Sequence, residues 1–358
     1  MARWLPALSC LLLLSGTAQS FGYLSTMGEG TPLPGLNAVT MGLGGARAIG
    51  FGDALSILTN PAEIYRIPGT TMTLSLGPGV IHESFDDSTG YVSYNWVAVS
   101  SLSGAVKFQL SPRLAVGAGA AKISDVSFQG KYYERNSFSG EITESFELDC
   151  RGGLYESAAG FSWRPARWIN VGLSGGLRFG GATCDSVYIN RFAPEQDTTV
   201  STEWDESRFC WHAGVMVPVG LTSFGMSWAS GTDHYDSRIA AGAVLYTAES
   251  RQGALGIEAE LVDPGGDGSL ETRVLGQVSP SSSLTFRGSL SFLDLNGEVP
   301  SQGFGISVGT GVAFGRITLN GAYAWSSLTR EEVSYSPYTP SNIKVSRSLL
   351  SVGVNWNL

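Results

Sequence analysis

Five charged residues at alternating positions of three successive predicted strands are the residues most able to do chemistry in this chain. They are Glu258, Glu260, Glu271, Arg273 and Arg287. Because side chains alternate between the two faces of a strand, all five are expected on the same face of the sheet. Such charges either pair across strands as a ladder that braces the wall, or line a polar path for a substrate. The opposite charges on neighbouring strands favour the ladder.

No catalytic residue, metal site or cofactor is predicted. Cys210 and His212 share a strand face, but a cysteine–histidine nucleophile needs an orienting partner and an oxyanion site, and the sequence shows neither. With His82 and His234, the histidines also lack metal-ligand spacing. Residues 263–268 are interpreted as a loop turn, with a Ca²⁺ site as the alternative. We expect a protein that is not an enzyme.

Gly42, Gly44 and Gly45 suggest a phosphate-binding loop at first sight. No predicted strand precedes them, no Lys-Ser/Thr follows, and their spacing does not match the dinucleotide fingerprint. They are interpreted as backbone turns packed in a narrow space. Asp53 can cap a short helix over residues 53–58, and the proline that follows Asn60 ends it by biasing that residue away from the helical region.

The fold is predicted from the alternation of apolar and polar residues in the last strand, 345–358. Its apolar residues share one face, and small polar residues such as Ser351 and Asn355 share the other. Segments 302–314 and 317–325 repeat the pattern, and aromatic residues lie at the ends of the apolar faces. An apolar outside and a small or polar inside predict an all-β fold, a transmembrane antiparallel β-barrel. A soluble β-sandwich or propeller is the alternative.

Short breaks alternate with long polar ones, which is typical of outer-membrane barrels with short periplasmic turns and long external loops. The long breaks include 129–143, 183–203 and 330–344. Segment 88–110 is interpreted as one strand with a bend near residues 100–104, because two strands there would give an odd count. About 14 strands are predicted, over 70–83, 88–110, 114–128, 144–164, 168–181, 204–217, 221–230, 236–248, 251–263, 269–279, 283–295, 302–315, 317–329 and 345–358.

Composition supports a membrane barrel in the outer membrane of a Gram-negative cell. Residues 1–20 have the charged, apolar and small-residue regions of a signal peptide, and no later run of 18 apolar residues predicts a membrane helix. The net charge of −9 argues against nucleic acid as a partner. Cys150 and Cys184 either form a bridge between external loops or stay reduced, and free thiols are favoured.

Residues 21–68 lack strand alternation, and their sequence resembles the N-terminal signature of the FadL-like outer-membrane proteins. The resemblance rests on Gly-Leu-Gly-Gly-Ala-Arg-Ala at residues 42–48, the short helix that begins at Asp53, and Asn60-Pro61-Ala62. That family includes long-chain fatty acid and aromatic hydrocarbon transporters and PorV-type proteins of a secretion system. The resemblance implies a hatch, residues 21–68, inside a 14-stranded barrel, residues 69–358. The hatch or gate residues are then Gly42, Gly44, Gly45, Asp53, Asn60, Pro61 and Ala62.

Two functions remain open from the sequence. The resemblance implies a passive channel for a hydrophobic small-molecule ligand, gated by the hatch and surrounded by membrane lipid. The alternative is a plugged barrel that docks a partner of the secretion machinery. Asp53 is a single acid where relatives often have an acidic pair, and the chain ends in Leu358 where a terminal aromatic is commoner. A continuous apolar pocket favours the channel, whereas a lumen filled by the charged ladder favours the platform.

Overall fold

The structure is a computed structural model. It describes residues 31–33, 35–51, 53–87, 90–126, 128–135, 142–192, 194–247, 252–264, 269–295, 301–333 and 340–358. The predicted signal peptide, 1–20, and most of the predicted Ca²⁺ loop, 265–268, lie outside these residues.

Sixteen described strands form one antiparallel sheet. They are β1 (Thr31–Pro32), β2 (Thr71–Asp87), β3 (Gly90–Ser111), β4 (Leu114–Asp125), β5 (Phe128–Arg135), β6 (Ile142–Ala166), β7 (Ile169–Asn190), β8 (Thr198–Val219), β9 (Thr222–Ala229), β10 (Arg238–Tyr246), β11 (Gly253–Val262), β12 (Ser269–Ser281), β13 (Leu284–Leu295), β14 (Ser301–Phe314), β15 (Ile317–Val333) and β16 (Pro340–Asn357).

Fourteen of these strands close a barrel. Each pairs with its neighbours in chain order, β4 pairs directly with β6, and β16 pairs with β2 to join the two ends. The other two strands are additions: β5 continues the line of β4 along β6, and β1 pairs with the far end of β4. The predicted barrel of about 14 strands is therefore confirmed, and a closed sheet leaves no unpaired edge in lipid.

The strand ends differ most from prediction at the long loops. Segments predicted as loops over 129–143, 183–203 and 330–344 contain ladder residues, because β5 to β8, β15 and β16 continue past the length a bilayer requires. The polar residues there keep their ladder hydrogen bonds after the apolar pattern ends, so polarity marks the membrane boundary and not the strand end. Segment 90–111 is one strand, as predicted.

A register irregularity lies where the bend is predicted. The pairing of β2 with β3 shifts between Gly77 and Pro78, so that Ser100 is the extra residue of β3. Proline has no backbone N–H to give to a ladder, which explains why the disturbance centres on Pro78. The pairing of β2 with β16 is also interrupted there, between Leu76 and Gly79.

The outer face of the barrel is apolar. Side chains of Leu177, Ile257 and Val308 are 51%, 61% and 53% exposed, whereas their strand neighbours Arg178, Glu258 and Ser307 are buried. Aromatic pairs such as Phe304 with Trp325 add the rings expected near membrane interfaces. Among the described residues, no second protein layer covers the side that is predicted to meet lipid. No helix among the described residues is long and apolar enough to cross a bilayer.

The two external cysteines are joined. Cys150 on β6 lies directly opposite Cys184 on β7, and the two form a disulfide. The expectation of free thiols is wrong for this pair because β7 extends beyond its predicted end at residue 181. Cys210 is free and buried.

A charge on the outer face should test the orientation of the wall. We expect Val308→Arg, in the middle of β14, to destabilise the folded barrel by about 2–4 kcal/mol, because the guanidinium would lie in hydrocarbon. Val219→Arg, which is as exposed but lies beside a short turn, should cost about 0–1 kcal/mol. Urea titration in lipid vesicles, followed by tryptophan fluorescence, measures both. Equal costs would contradict the assigned lipid face.

Candidate functional site

A segment of the N-terminal region fills the barrel lumen and is the candidate functional site. We call residues 35–68 the plug; it contains helix α1 (Ala38–Met41) and two 3-10 helices, Ala54–Leu58 and Pro61–Arg66. The strand β1, which precedes the plug, pairs with the end of β4 that lies near the long loops. The residues that follow the plug join β2 at the opposite end of the barrel, where the short turns lie. The plug therefore crosses the lumen lengthwise.

Apolar side chains of the plug pack on small side chains of the wall. One buried cluster unites Leu55, Ile57 and Ile64 of the plug with Ala105 and Ala115 of β3 and β4. Another joins Val39, Leu43 and Ile49 of the plug to the wall, and a third joins Met41 to Ala322 and Ala324. The inward positions are small because the plug occupies the space beside them.

The Asn60-Pro61-Ala62 turn contacts two inward glycines. A Cβ on Gly172 would lie 2.3 Å from the backbone nitrogen of Ala62, and one on Gly214 would lie 1.9 Å from the Asn60 Oδ1 atom. Ser162 donates its hydroxyl to the carbonyl of Ala62 at 3.0 Å. No other residue type fits at the two glycines without displacing the turn.

Asn60 and Asp53 hold the plug together from within. The Asn60 amide donates to the carbonyl of Ala48 at 2.7 Å, and its Oδ1 accepts from Ala62 N–H at 3.1 Å. Asp53 caps the first 3-10 helix by accepting from Leu55 N–H at 2.8 Å, as predicted, and also accepts from the Asn37 amide at 2.8 Å. Burial raises the pKa of Asp53, against these hydrogen bonds.

The three glycines of the motif form the turn after α1. Gly44 and Gly45 have φ values of +67° and +78°, the left-handed region that favours glycine. Gly42 lies so close to Gly309 of β14 that a Cβ on it would be 3.1 Å from the Gly309 Cα atom. All three glycines therefore lie in a tightly packed backbone turn.

Glu258 attaches the plug to the wall. Its carboxylate accepts the backbone N–H groups of Arg47, Ala48 and Ile49 at 2.8, 2.8 and 3.0 Å, and it also accepts from Arg273 at 3.0 Å. Three successive N–H groups on one buried carboxylate form an anion cradle built by the plug backbone. This contact links residues more than 200 positions apart in sequence.

Glu258 belongs to a balanced network of three acids and three arginines. Arg273 also pairs with Glu260 at 2.6 Å and with Glu271, while Glu260 accepts from Arg238 at 3.2 Å. The plug supplies the third arginine, Arg47, whose Nε lies 3.0 Å from the Glu260 carboxylate. The predicted ladder therefore exists, but it braces the plug as well as the wall.

Arg287 does not join this network, which corrects the expected five-residue group. It faces the lumen on β13 but donates to Gln277 at 3.0 Å and to Asn320 at 3.2 Å. Its register partners on β12 and β14 are Gln277 and Gly309, so no acid lies opposite it. The alternation along the strand correctly predicted that Arg287 faces the lumen. The register between neighbouring strands, however, decides which charged side chains lie opposite each other.

Lys107 holds the other end of the plug. This fully buried side chain donates to the carbonyls of Ile67 and Gly69, the latter at 2.7 Å, and to Gln109 at 2.6 Å. The carbonyls belong to the segment that leaves the lumen for β2. The plug is thus fixed at both the Glu258 and the Lys107 positions.

Cys210 and His212 face the lumen as predicted, and Glu156 joins them. His212 Nε2 lies 2.6 Å from Glu156, which also pairs with Arg178 at 2.7 Å. One ligand atom from each of Glu156, Cys210 and His212 lies within 4.8 Å of the others. The group is the geometric candidate for a metal among the described residues, but the arginine already neutralises its carboxylate.

Glu63 is a buried acid in the plug that sequence reasoning did not single out. Its carboxylate accepts the Gly50 N–H and the Ser56 hydroxyl, the second at 3.4 Å. Burial raises the pKa of Glu63 to about 7, although Arg66 and the Gly50 hydrogen bond act in the other direction. The acid therefore titrates near neutral pH.

Several plug contacts were missed for one reason. Glu63 and Tyr235 have no motif and no alternation that separates them from surface residues, and neither the motif around Arg47 nor the strand alternation around Lys107 indicates which groups they contact. Tyr235 lies in a segment predicted as a loop, yet it is buried, accepts a 2.9 Å hydrogen bond from Arg47 and stacks beneath Arg178. No sequence signal distinguishes a loop that folds inward from one that is solvated.

Solved structures share this architecture across nearly the whole chain. A Pseudomonas aeruginosa FadL homologue matches with a TM-score of 0.70 and 10% identity, over 92% of this chain and 99% of that chain. The P. putida toluene transporter TodX matches with 0.69 and 13%, over 91% and 99%. The monoaromatic hydrocarbon channel CymD matches with 0.63 and 12%, over 92% and 99%.

The fold is therefore FadL-like, an outer-membrane barrel architecture. No protein-family model matches the sequence, and no curated protein matches it either. At 10 to 13% identity, the likeness concerns the fold.

Removal of the Glu258 charge should loosen the plug. In Glu258→Gln we expect amide hydrogens of residues 47–49 to exchange at least tenfold faster, because hydrogen bonds to a charged acceptor contribute about 1.5–3 kcal/mol. Hydrogen exchange with mass spectrometry of the detergent-solubilised protein measures this. Glu271→Gln is the matched control, since Glu271 pairs with Arg273 and makes no described contact with the plug. The idea fails if both variants exchange alike.

The plug should also respond to pH. A carboxyl whose folded pKa is raised from 4.5 to about 7 is most favourable when protonated, so its contribution falls as pH rises from about 4.5 through 7. We expect protection factors of residues 50–56 to be lower at pH 8 than at pH 5. Glu63→Gln should remove most of this difference, with Asp53 supplying any remainder. An unchanged pH dependence in that variant would count against Glu63.

Proposed function

We propose that this chain is an outer-membrane channel for the passive uptake of hydrophobic small molecules, aromatic hydrocarbons or long-chain fatty acids, with the plug as its gate. The observation that carries the proposal is a lipid-facing barrel whose lumen is closed by a separate segment of the same chain. The likeness to TodX and CymD, named as a toluene transporter and a monoaromatic hydrocarbon channel, supports this class of ligand.

The proposed route begins at the end with the long loops and reaches the apolar side chains around Leu55, Leu58 and Tyr235. These residues form one buried cluster with the wall, so a small shift of the plug would expose an apolar surface to the ligand. The ladder irregularity at Gly77 and Pro78 is the candidate side exit, since the register towards β3 shifts there and the register towards β16 passes from Leu76 to Gly79. A hydrophobic ligand leaving there would enter the lipid directly.

The second candidate function is a docking platform of a secretion or surface-assembly system. The observation in its favour is the strength of plug attachment, with the Glu258 cradle at one position and Lys107 at another. A permanently closed lumen would leave the extended outer ends of β5 to β8 as the working surface. The two functions differ in whether the plug moves.

Uptake measurements test the channel. Cells that lack their own hydrocarbon channel should take up radiolabelled toluene or oleate several-fold faster when they express this chain than with an empty vector. Glucose uptake serves as the control for general leakage. If toluene and oleate both enter at the empty-vector rate, the channel proposal fails and the platform is favoured.

A reversible lock tests the gate. A Cβ built on Gly44 lies 3.2 Å from the Ser289 Cβ, close to the separation of a disulfide, so the pair Gly44→Cys and Ser289→Cys should cross-link the plug to β13. The positive φ at position 44 costs the variant roughly 1–2 kcal/mol. We expect oxidation to reduce uptake at least fivefold and reduction to restore it, with Ser289→Cys alone unaffected. Undiminished uptake by the oxidised pair would exclude plug movement as the gate.

A further inference from the structure

A cavity lies at the short-turn end of the barrel, where the plug leaves the lumen. Its volume is about 460 Å³, within the range of small-molecule sites. The second 3-10 helix of the plug forms one side, with Tyr65 and Arg66. The turns of the wall form the other, with Arg164 and Arg167 between β6 and β7.

The cavity is positively charged. Its three arginines, Arg66, Arg164 and Arg167, form no ion pair within the described part of the chain. Arg66 donates to the Tyr246 hydroxyl, while Arg164 donates to the Arg167 carbonyl at 2.7 Å and to the Tyr65 hydroxyl at 3.4 Å. All of these acceptors are neutral. Glu63 is the acid that interacts with Arg66, but it already accepts hydrogen bonds inside the plug.

Two guanidinium nitrogens of these arginines have no described protein acceptor. The Nη1 atom of Arg66 and the Nε atom of Arg164 are both buried without a partner among the described residues. A buried donor without an acceptor costs about 1–3 kcal/mol, and more when it is charged. Guanidinium groups bind carboxylate and phosphate with paired hydrogen bonds, so a cavity lined by three arginines that form no described ion pair is suited to an oxyanion.

The remaining walls combine apolar surface with the polar side chains of Gln109, Asn170 and Ser223. Ile67 and Met216 contribute aliphatic and thioether surface, and Pro112 and Pro218 add ring faces from the turns. Tyr65 presents a ring that Arg164 covers at 5.4 Å from its centroid. A bare inorganic ion would leave these surfaces uncovered, whereas an anion with a compact apolar body would contact both parts.

We propose that this cavity is a binding site for small organic carboxylates, with the carboxylate between Arg66 and Arg164 and the apolar body against Met216 and the prolines. Arg167, exposed on the turn, attracts the anion to the mouth. The site deepens the proposed channel and rests on it in one respect: it names a chemical class that would bind to the gate where the plug leaves the lumen. Binding itself requires no transport.

Calorimetry on the purified full chain in detergent tests the site with benzoate, benzyl alcohol and inorganic phosphate as probes. We expect benzoate to bind at least tenfold more tightly than benzyl alcohol, which has the same ring without the charge. Phosphate should bind at least tenfold more weakly than benzoate. Arg164→Gln and Arg167→Gln should each weaken benzoate binding, the first by at least tenfold and the second by about threefold.

Arg113→Gln is the matched control, because Arg113 lies on the neighbouring short turn, is exposed and does not line the cavity. Its benzoate affinity should stay within twofold of the original chain. Equal affinity for benzoate and benzyl alcohol would overturn the proposal, as would an equal loss in Arg113→Gln. Phosphate binding as tight as benzoate binding would also overturn it, since the site would then recognise a bare anion or a lipid phosphate. These readouts involve no flux, so a failure of uptake alone would overturn the channel and leave the carboxylate site standing.

Discussion

One buried carboxylate determines how this barrel holds its plug. Glu258 accepts three successive backbone N–H groups of residues 47–49, and it can do so only because Arg273 pairs with it from β12. A carboxylate at this depth without partners would be costly, and removing one partner of a buried pair costs about 3–5 kcal/mol. The balanced set of three acids and three arginines therefore makes the plug part of the wall's own electrostatics: without Arg47, the network would have an excess of negative charge.

The shape of the wall depends on the same contact. With the plug fixed at Glu258, its helices lie against the inner faces of most strands, and the wall residues there must be small. Gly172 and Gly214 admit the Asn60-Pro61-Ala62 turn, and alanines on β3, β4 and β15 admit its apolar side chains. The inner surface is thus small and partly polar for two separate reasons, the volume of the plug and the need to hydrogen-bond its backbone.

The plug is attached at discrete polar points, which is the arrangement that the proposed gate requires. The plug is held by a few hydrogen-bonded charges, Glu258, Arg47 and Lys107, between patches of apolar packing. A change at one point, such as protonation of Glu63, alters the stability of the plug. It does not break the backbone hydrogen bonds that pair the strands of the barrel. The strand pairing of the wall and the attachment of the plug therefore depend on different hydrogen bonds, although both use the Glu258–Glu260 network, and this difference is the basis of the proposed gate.

The sequence by itself determined the barrel, the number of its strands and the side of each strand that forms the apolar outer face. Side chains of a strand alternate between the two faces, so an apolar outer face appears in the sequence as an apolar residue at every second position. The sequence also determined the cap at Asp53, which depends on neighbours along the chain. Only the tertiary structure decided that Glu258 and Glu260 meet Arg47, that Arg287 stands apart, that Cys150 and Cys184 are joined, and that Arg66, Arg164 and Arg167 share a cavity. Those contacts depend on the stagger between strands and on the path of the plug across the lumen, and both are set by packing between residues far apart in sequence.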